Sequence, residues 1–172
     1  MRLRTLIVVG ILLFSGMAAA AEPEVLPAEQ GVRLPASVMN LLNYARNLEG
    51  ALYKRGGNNP VSGFDCSGFV HYVFDRAEGV IIPHSSVALS KIGEYIRRRE
   101  LHPGDLVFFS FMHSISHVGI YLGNDQFIHA SSTQTGSVMV SSLNDGYWAK
   151  HFTLARRIPA SAADAEKEAL SQ

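Results

Sequence analysis

The first half of the chain places its apolar side chains with a helical period. Apolar positions recur every three or four residues from Val38 to Leu48, behind Ser37 as a possible N-cap and ahead of Gly50 as a stop. This pattern predicts an amphipathic helix over residues 38–49.

Two more helical segments follow a turn-rich stretch. Asp65 can cap a helix whose apolar positions keep the same period until Gly79, which places Cys66 in the first turn of that helix. A weaker pattern predicts a third helix over residues 86–92, capped by Ser85.

Beyond Pro103 the pattern changes to short apolar runs separated by turn residues, which is typical of strands. The predicted strands are Leu106–Ser110, His117–Leu122, Gln126–Ser131, Val138–Ser142 and Phe152–Ile158. Helices followed by strands favour an α+β fold in which N-terminal helices pack on a C-terminal antiparallel β-sheet. We expect one such domain over residues 37–158.

The segments that flank this domain have a different character. Residues 1–21 combine basic residues, an apolar run and a small-residue end, which is the order of a secretory signal peptide, so the mature chain would begin at Ala21 or Glu22. The alternative is an uncleaved membrane anchor, but the uncharged stretch is at the short limit for a span. Residues 22–36 are predicted to be a linker and residues 159–172 a polar tail.

The overall composition excludes several classes of protein. Lys and Arg number 15 and Asp and Glu also 15, so there is no basic excess for nucleic-acid binding. The chain has one cysteine, Cys66, which excludes an intramolecular disulfide and any multi-cysteine metal site. That thiol is either a packing residue or a reactive group.

The position of Cys66 favours reactivity. A helix N-terminus stabilises a thiolate and lowers the pKa of a thiol, so we expect the pKa of Cys66 to lie below that of a free thiol. The alternative is an inert buried cysteine, since free cysteines are commonly buried. A histidine base close to the thiol would favour a catalytic cysteine over an inert one.

Two histidines lie on neighbouring predicted strands. His117 begins one strand and His129 lies in the next, joined by residues 123–125. A three-residue loop pairs Leu122 with Gln126 and makes the two histidines diagonal neighbours on one face, whereas a two-residue loop would put them on opposite faces. We expect the three-residue loop, so that one imidazole can orient the other.

The patterns around other basic side chains do not indicate a catalytic role. His113 and His117 would share a metal only if their segment were helical, and the flanking strand pattern favours a loop, so we expect no metal site. His71 is predicted to lie on the surface. The arginines at 97–99 are expected to be solvated, with attraction of an anionic polymer as the second interpretation.

Four motifs together resemble one known family. They are Phe64–Val70 (FDCSGFV), Pro103–Phe109 (PGDLVFF), Ser116–Gly123 (SHVGIYLG) and Phe127–Ala130 (FIHA). Their order and spacing resemble the NlpC/p60 family of cell-wall cysteine peptidases over about residues 38–158. The resemblance implies a circularly permuted, papain-like α+β fold.

The resemblance also implies roles for single residues. Cys66 would be the nucleophile, His117 the general base and acid, and His129 the residue that orients His117. Tyr53, in a motif that also matches, would donate its hydroxyl to the oxyanion or the substrate, with ordinary core packing as the alternative.

The resemblance also concerns the two neighbours of the thiol. Asp65 and Ser67 resemble residues that, in some members of the family, hold the free amine of a peptide stem. Asp65 is alternatively only the helix cap.

The resemblance implies peptidoglycan as the substrate, with an amide of a stem peptide or cross-link as the bond that is cut. It implies no metal or organic cofactor. With the signal peptide removed, we expect a monomer without a membrane span in the periplasm of a Gram-negative bacterium, or otherwise a secreted protein. The alternatives are a non-catalytic wall-binding domain of the same fold and a thiol amidase or acyltransferase acting on a small substrate.

Overall fold

A computed structural model of the protein describes residues 34–132 and 136–159. Within them the helices are α1 (Ala36–Arg46), α2 (Cys66–Glu78), α3 (Ser86–Leu89) and α4 (Gly146–His151). The strands are β1 (Asn58–Asn59), β2 (Gly63–Phe64), β3 (Glu94–Ile96), β4 (Leu106–Phe111), β5 (Ser114–Gly123), β6 (Gln126–Ala130), β7 (Val138–Ser142) and β8 (Phe152–Arg157). The proposed signal peptide lies outside the described residues, as do nearly all of the linker and the tail.

Helix α1 begins and ends earlier than its apolar period predicts. Pro35 occupies the N-cap position that was expected for Ser37, and no side chain caps this end. A proline suits helix entry because its φ is already close to the helical value. After Arg46 the chain tightens into shorter-range hydrogen bonds, such as Leu48 N–H to Ala45 O at 3.1 Å, which end the helix before the predicted boundary.

The predicted helix behind Asp65 is confirmed. Its N-terminus is capped by the Asp65 side chain, and Gly79, in the left-handed conformation with φ 66°, ends it. Helix α3 is capped by Ser85 as expected but ends at Leu89, so the predicted third helix is too long.

A six-stranded antiparallel sheet lies at the centre of the domain, in the order β3-β8-β4-β5-β6-β7. Along β4 the side chains alternate. Leu106 and Phe108 pack in the cluster that contains the apolar faces of α1 and α2, and Val107 and Phe109 pack in a second cluster. The predicted α+β arrangement of helices on an antiparallel sheet is confirmed.

The second face of the sheet is also covered, in addition to the face on which the N-terminal helices were expected to pack. Helix α4 and the loop before it place Trp148 and Leu143 against Val107 and Phe109. The run Leu106–Phe109 is apolar at every position, a pattern typical of strands buried on both faces. In the part of the chain that the structure describes, no helix is long and apolar enough to cross a membrane.

Candidate active site

The thiol of Cys66 lies at the beginning of α2, against strand β5. Asp65 Oδ1 accepts a hydrogen bond from the Gly68 N–H at 2.7 Å and so caps the helix. The Sγ atom of Cys66 lies 3.9 Å from the carbonyl oxygen of Ser116. The predicted placement of the cysteine at a capped helix N-terminus is confirmed.

The carboxylate of Asp65 connects three segments around this helix end. Its Oδ1 also accepts hydrogen bonds from Ser67 Oγ and from His84 Nε2, each at 3.0 Å, and its Oδ2 accepts one from the Gly56 N–H at 3.0 Å. Burial alone would raise the pKa of Asp65, but the hydrogen bonds from Gly68, His84 and Ser67 outweigh it and hold the pKa below its ordinary value. Asp65 is therefore a fixed anion that holds the start of α2.

Gly68 allows this segment to pack closely. A Cβ atom at this position would lie 2.0 Å from the carbonyl oxygen of Gly57 and 2.8 Å from Nε2 of His84. Any side chain would push α2 away from the loop that contacts Asp65. The glycine of the FDCSGFV motif is thus a backbone requirement.

The two histidines share one face of the sheet, but the loop between them is shorter than expected. Asn124 and Asp125, with φ of 50° and 55°, form a two-residue turn closed by the pair Gly123 and Gln126. The register shifts at Leu122, which is a bulge.

The bulge restores the expected pairing beyond the turn. Tyr121 pairs with Phe127 and Ile120 with Ile128, as a three-residue loop would also have placed them. The predicted loop length is therefore wrong, whereas the predicted register and the shared face of His117 and His129 are found. One extra residue in the strand has the same effect on side-chain direction as one extra residue in the loop.

The two imidazoles are in direct contact. Nε2 of His117 lies 2.8 Å from Nδ1 of His129, and Nε2 of His129 lies 3.0 Å from Oγ of Ser141 on β7. If His117 is to accept a proton at Nδ1, its own ring hydrogen must be on Nε2 and must be donated to His129. His129 then donates from Nε2 to Ser141, so one set of tautomers satisfies the whole chain of contacts.

Gly119 makes room for this pair. A Cβ atom here would lie 2.7 Å from Cδ2 of Phe127, 2.9 Å from the carbonyl oxygen of Ile128 and 3.2 Å from Cβ of His129. A side chain would displace the strand that carries His129. The glycine of the SHVGIYLG motif therefore fixes the distance between the two strands at the histidines.

Cys66 and His117 line the same cleft, which has a volume of about 260 Å³. Its wall carries both hydroxyl groups and aromatic rings. Its other lining residues are Tyr53, Phe111, Ser116, Ser131, Ser132, Tyr147 and Trp148. His129 is fully buried behind His117. The structure thus brings together a thiol and an imidazole that are 51 positions apart in the chain.

Tyr53 also faces this cleft. Its backbone pairs with Phe64, immediately before the residues that lead into α2. Burial, followed by the nearby Cys66, raises the pKa of the Tyr53 hydroxyl, and that hydroxyl hydrogen-bonds the side chain of Ser132. Tyr53 therefore remains protonated at neutral pH and can act as a hydrogen-bond donor beside the thiol.

Burial opposes charge on both the thiol and the imidazole. It raises the pKa of Cys66 to about 11, with Asp65 adding to the rise and backbone N–H groups of Val118 and Ser67 partly opposing it. Burial also lowers the pKa of His117 to about 4. The neutral thiol and the neutral imidazole are therefore favoured in the cleft. The expectation of a low pKa for Cys66 is wrong, because desolvation outweighs the effect of the helix N-terminus.

His129 is held neutral by the same causes. Burial, and then the neighbouring His117, lower its pKa far below the ordinary value. A second positive charge beside His117 is thereby disfavoured.

The remaining basic candidates lie elsewhere. His113 has a φ of 69° in the tight turn between β4 and β5, so it and His117 do not have helical spacing. His71 is half-buried and not at the surface as predicted, because its Nδ1 bonds the carbonyl oxygen of Ile82 at 2.5 Å. No group of three or more His, Cys, Asp or Glu side chains with the proximity needed to hold a metal occurs within residues 34–132 and 136–159.

The arginines at 97–99 contact the protein itself. Arg98 donates to the carbonyl oxygen of Leu143 at 3.0 Å and to Oδ1 of Asn144 at 3.1 Å, and Arg99 Nε donates to Oε1 of Glu100 at 3.3 Å. The expectation of a merely solvated stretch is wrong for Arg98, which supports the loop before α4.

Three residues near the site are not found by motif or periodicity. Ser141 is one of several serines in a strand, and its role depends on the pairing of β6 with β7. His84 lies 18 positions after Cys66 and reaches Asp65 only through the fold. Trp148 is the single tryptophan of the chain, but nothing in the sequence links it to the histidines.

Comparison with known proteins identifies relatives of this chain. Residues 50–157 match the model of the NlpC/P60 family. The chain is 41% identical over 110 residues to Murein DD-endopeptidase MepS/Murein LD-carboxypeptidase of Escherichia coli, a match that covers 64% of this chain and 57% of that protein. It is 42% identical over 110 residues to Gamma-DL-glutamyl hydrolase of Bacillus subtilis, covering 63% of this chain and 26% of that protein.

A solved structure agrees with these matches. An NlpC/P60 family protein from Bacillus cereus superposes with a TM-score of 0.65 at 32% identity, covering 73% of this chain and 41% of that one. The chain thus spans a little over half of the first curated relative and smaller parts of the other two proteins.

Proposed function

The chain belongs to the NlpC/P60 family and has its papain-like α+β fold, and we propose that it is a cysteine peptidase that hydrolyses amide bonds in the stem peptides or cross-links of peptidoglycan. The observation that supports this most is the cleft that is lined both by Cys66, at a capped helix start, and by His117, which is bonded to His129. The relatives are named as a murein endopeptidase and carboxypeptidase and as a gamma-DL-glutamyl hydrolase.

The neutral resting pair defines how the nucleophile is generated. As the sulfur of Cys66 attacks the substrate carbonyl carbon, its proton moves to Nδ1 of His117. A positive imidazole then forms only when a negative oxyanion forms with it, so neither charge has to exist alone in a buried site. His129 Nδ1 accepts a hydrogen bond from the N–H at Nε2 of His117 and keeps the ring of His117 in place.

The tetrahedral oxyanion is held by the N–H of Cys66 at the helix N-terminus together with the hydroxyl of Tyr53. His117 then donates its proton to the leaving amine, and the amide bond breaks to leave a thioester on Cys66. A water molecule, deprotonated by His117, hydrolyses the thioester and restores the free thiol. No step requires a metal or organic cofactor.

Asp65 and Ser67 have a positioning role in this proposal. Four donors already bind the two oxygens of Asp65, and Ser67 is one of them. A substrate amine would have to displace one of these donors. This favours the helix cap over the recognition of a free amine.

The names of the relatives refer to different bonds, so the products must identify the amide that is cut. The experiment is digestion of purified peptidoglycan with the protein lacking residues 1–21, followed by mass spectrometry of the new amino and carboxyl termini. We expect new termini in stem peptides or cross-links, undiminished by a chelator and abolished by a thiol alkylating agent.

Other outcomes of that digestion would overturn the proposal. Retention on peptidoglycan without new termini would indicate a wall-binding domain. Turnover of small amides or esters alone would indicate an amidase or acyltransferase. Loss of activity with the chelator would indicate a metal enzyme.

The same proposal places the action of the protein outside the cytoplasm, in the periplasm or a secreted fraction. It is supported by the murein-directed activity named for the Escherichia coli relative and by the signal-peptide pattern of residues 1–21. A mature protein that begins at Ala21 or Glu22 and is recovered without detergent would agree with this location.

A further inference from the structure

Trp148 packs against both histidines of the candidate site. It lies on α4, whose first turn is capped by Asp145, because Oδ1 of Asp145 accepts a hydrogen bond from the Tyr147 N–H at 2.8 Å. Only 4% of the surface of Trp148 is exposed, yet the residue lines the cleft beside Cys66. Its environment is the second core cluster, on the face of the sheet opposite α1 and α2.

The indole contacts both imidazoles in different ways. Its ring centroid lies 5.3 Å from that of His117 with an interplanar angle of 28°, which is a stacked arrangement. It lies 4.9 Å from that of His129 at 75°, which is an edge contact. Phe109 and Phe127 in turn pack against the indole with centroids 4.7 Å and 5.1 Å away.

A hydrogen bond alone does not fix the orientation of an imidazole. The bond from His117 Nε2 to His129 sets one direction in the plane of the ring. The ring can still tilt about that direction, and tilting moves Nδ1 relative to the thiol. A flat side chain against the face of the ring removes this remaining freedom.

Resting on the function proposed above, we propose that Trp148 is a positioning residue that fixes the tilt of the His117 ring by stacking on its face. It does not touch the reacting atoms. It acts by holding Nδ1 of His117 in one direction and by excluding water from that side of the ring.

The indole nitrogen distinguishes stacking from hydrogen bonding. Nε1 of Trp148 is buried and has no hydrogen-bond partner among the described residues. A buried N–H without a partner is unfavourable, so the contribution of this side chain comes from its ring and not from its donor. An aromatic residue without that N–H should therefore replace it.

The experiment compares three variants of the full chain with the parent. Trp148→Phe keeps a ring that can stack, and Trp148→Met keeps an apolar side chain without a ring. Phe74→Leu, in the other core cluster and 1% exposed, is the control for a general loss of packing. The readouts are kcat and KM on a peptidoglycan-derived peptide at several pH values, and NMR of the histidine rings.

We expect Trp148→Met to lower kcat by roughly 10- to 100-fold with little change in KM, because a small misplacement of a catalytic group has an effect of that order. Water admitted beside His117 should raise its pKa from about 4 toward the ordinary value of about 6.5, so activity on the acidic side is lost at a higher pH. Trp148→Phe should stay near the parent in both respects. Phe74→Leu should lose thermal stability without moving the acidic limb.

The NMR readout does not depend on activity. The hydrogen on Nε2 of His117 should give a slowly exchanging signal in the parent and in Trp148→Phe, and this signal should be lost in Trp148→Met. A parent that shows the signal but cuts no peptidoglycan would overturn the proposed function alone.

Two results would overturn the positioning role. The first is a Trp148→Met protein with the parental kcat, acidic limb and ring signal. The second is a Trp148→Phe protein as impaired as Trp148→Met, since that would assign the role to the indole N–H.

Discussion

His117 and His129 are joined by a 2.8 Å contact between Nε2 and Nδ1, and this contact depends on a bulge at the far end of their hairpin. A two-residue turn alone would put the rings on opposite faces of the sheet. The extra residue at Leu122 returns the two rings to the same face. The pairing of the two rings is therefore a property of the hairpin as a whole.

The first prediction concerns this pair. His117→Ala should approach the loss of activity seen on removing the thiol, whereas His129→Asn should retain part of the rate because an amide can still bond the ring of His117. Residues that act as one unit are strongly non-additive, so adding His129→Ala to His117→Ala should cost little more than His117→Ala alone. Steady-state rates of the single and double variants measure this. If the loss of rate in the double variant equalled the product of the losses in the two single alanine variants, the two rings would act independently.

A second prediction concerns the charge state of the thiol. Burial raises the pKa of Cys66 to about 11, so the thiolate fraction should still be increasing well above the pH at which a free thiol, with a pKa of about 8.5, titrates. The rate of alkylation by iodoacetamide should therefore rise with pH without a plateau near neutrality. His117→Ala should leave this profile nearly unchanged. An early plateau that disappears in His117→Ala would instead show a resting thiolate–imidazolium pair.

A third prediction concerns the anchor of α2. The folded pKa of Asp65 lies below its ordinary value, so its charge contributes stability above a pH of about 3.9, and this contribution is lost as pH falls through the lower folded pKa. Asp65→Asn keeps a capping side chain and removes the charge. It should lower the free energy of unfolding at neutral pH. The difference in the free energy of unfolding between neutral and acidic pH should therefore be smaller than in the parent.

Urea unfolding at the two pH values measures that effect. Asp75→Asn is the matched control, because Asp75 lies on the same helix and faces Arg76 at 3.6 Å with its side chain 37% exposed. The control should change stability little. If the stability of Asp65→Asn depended on pH as that of the parent does, the charge of Asp65 would not stabilise the fold.

A fourth prediction concerns Gly119. Gly119→Ala adds only a methyl group, but that group would lie 2.9 Å from a backbone oxygen and 3.2 Å from Cβ of His129. The strands must separate, so we expect a loss of about 1–3 kcal/mol in stability from overpacking, together with reduced activity. Gly146→Ala, where a Cβ meets nothing within 4 Å, is the control. Equal effects of the two substitutions would show that the spacing at His129 is not critical.

The sequence predicts those parts of the fold that depend on local patterns. Helix α2 has both a capping residue and a terminating glycine, and strands β4 to β8 are short apolar runs between turns. Their order is sufficient for the α+β arrangement. The candidate nucleophile and both histidines follow from the same local information combined with the resemblance.

What the sequence does not show depends on contacts between distant segments. The bulge at Leu122 compensates a turn of unexpected length, and neither can be read from residue types alone. Ser141, His84 and Trp148 reach the site only because strands and loops far apart in the chain come together there. The thiol pKa is raised and not lowered because burial depends on the complete fold, whereas the helix N-terminus is a local feature.

The central claim, that Cys66 is the nucleophile in peptidoglycan hydrolysis, is tested most directly by the rate at which purified peptidoglycan gains new termini with the parent and with Cys66→Ala. The substitution changes little volume, so the variant should fold like the parent, which near-ultraviolet circular dichroism can verify. We predict that new termini accumulate with the parent and stay at the level of the enzyme-free blank with Cys66→Ala. Hydrolysis by Cys66→Ala at the parental rate would contradict the account.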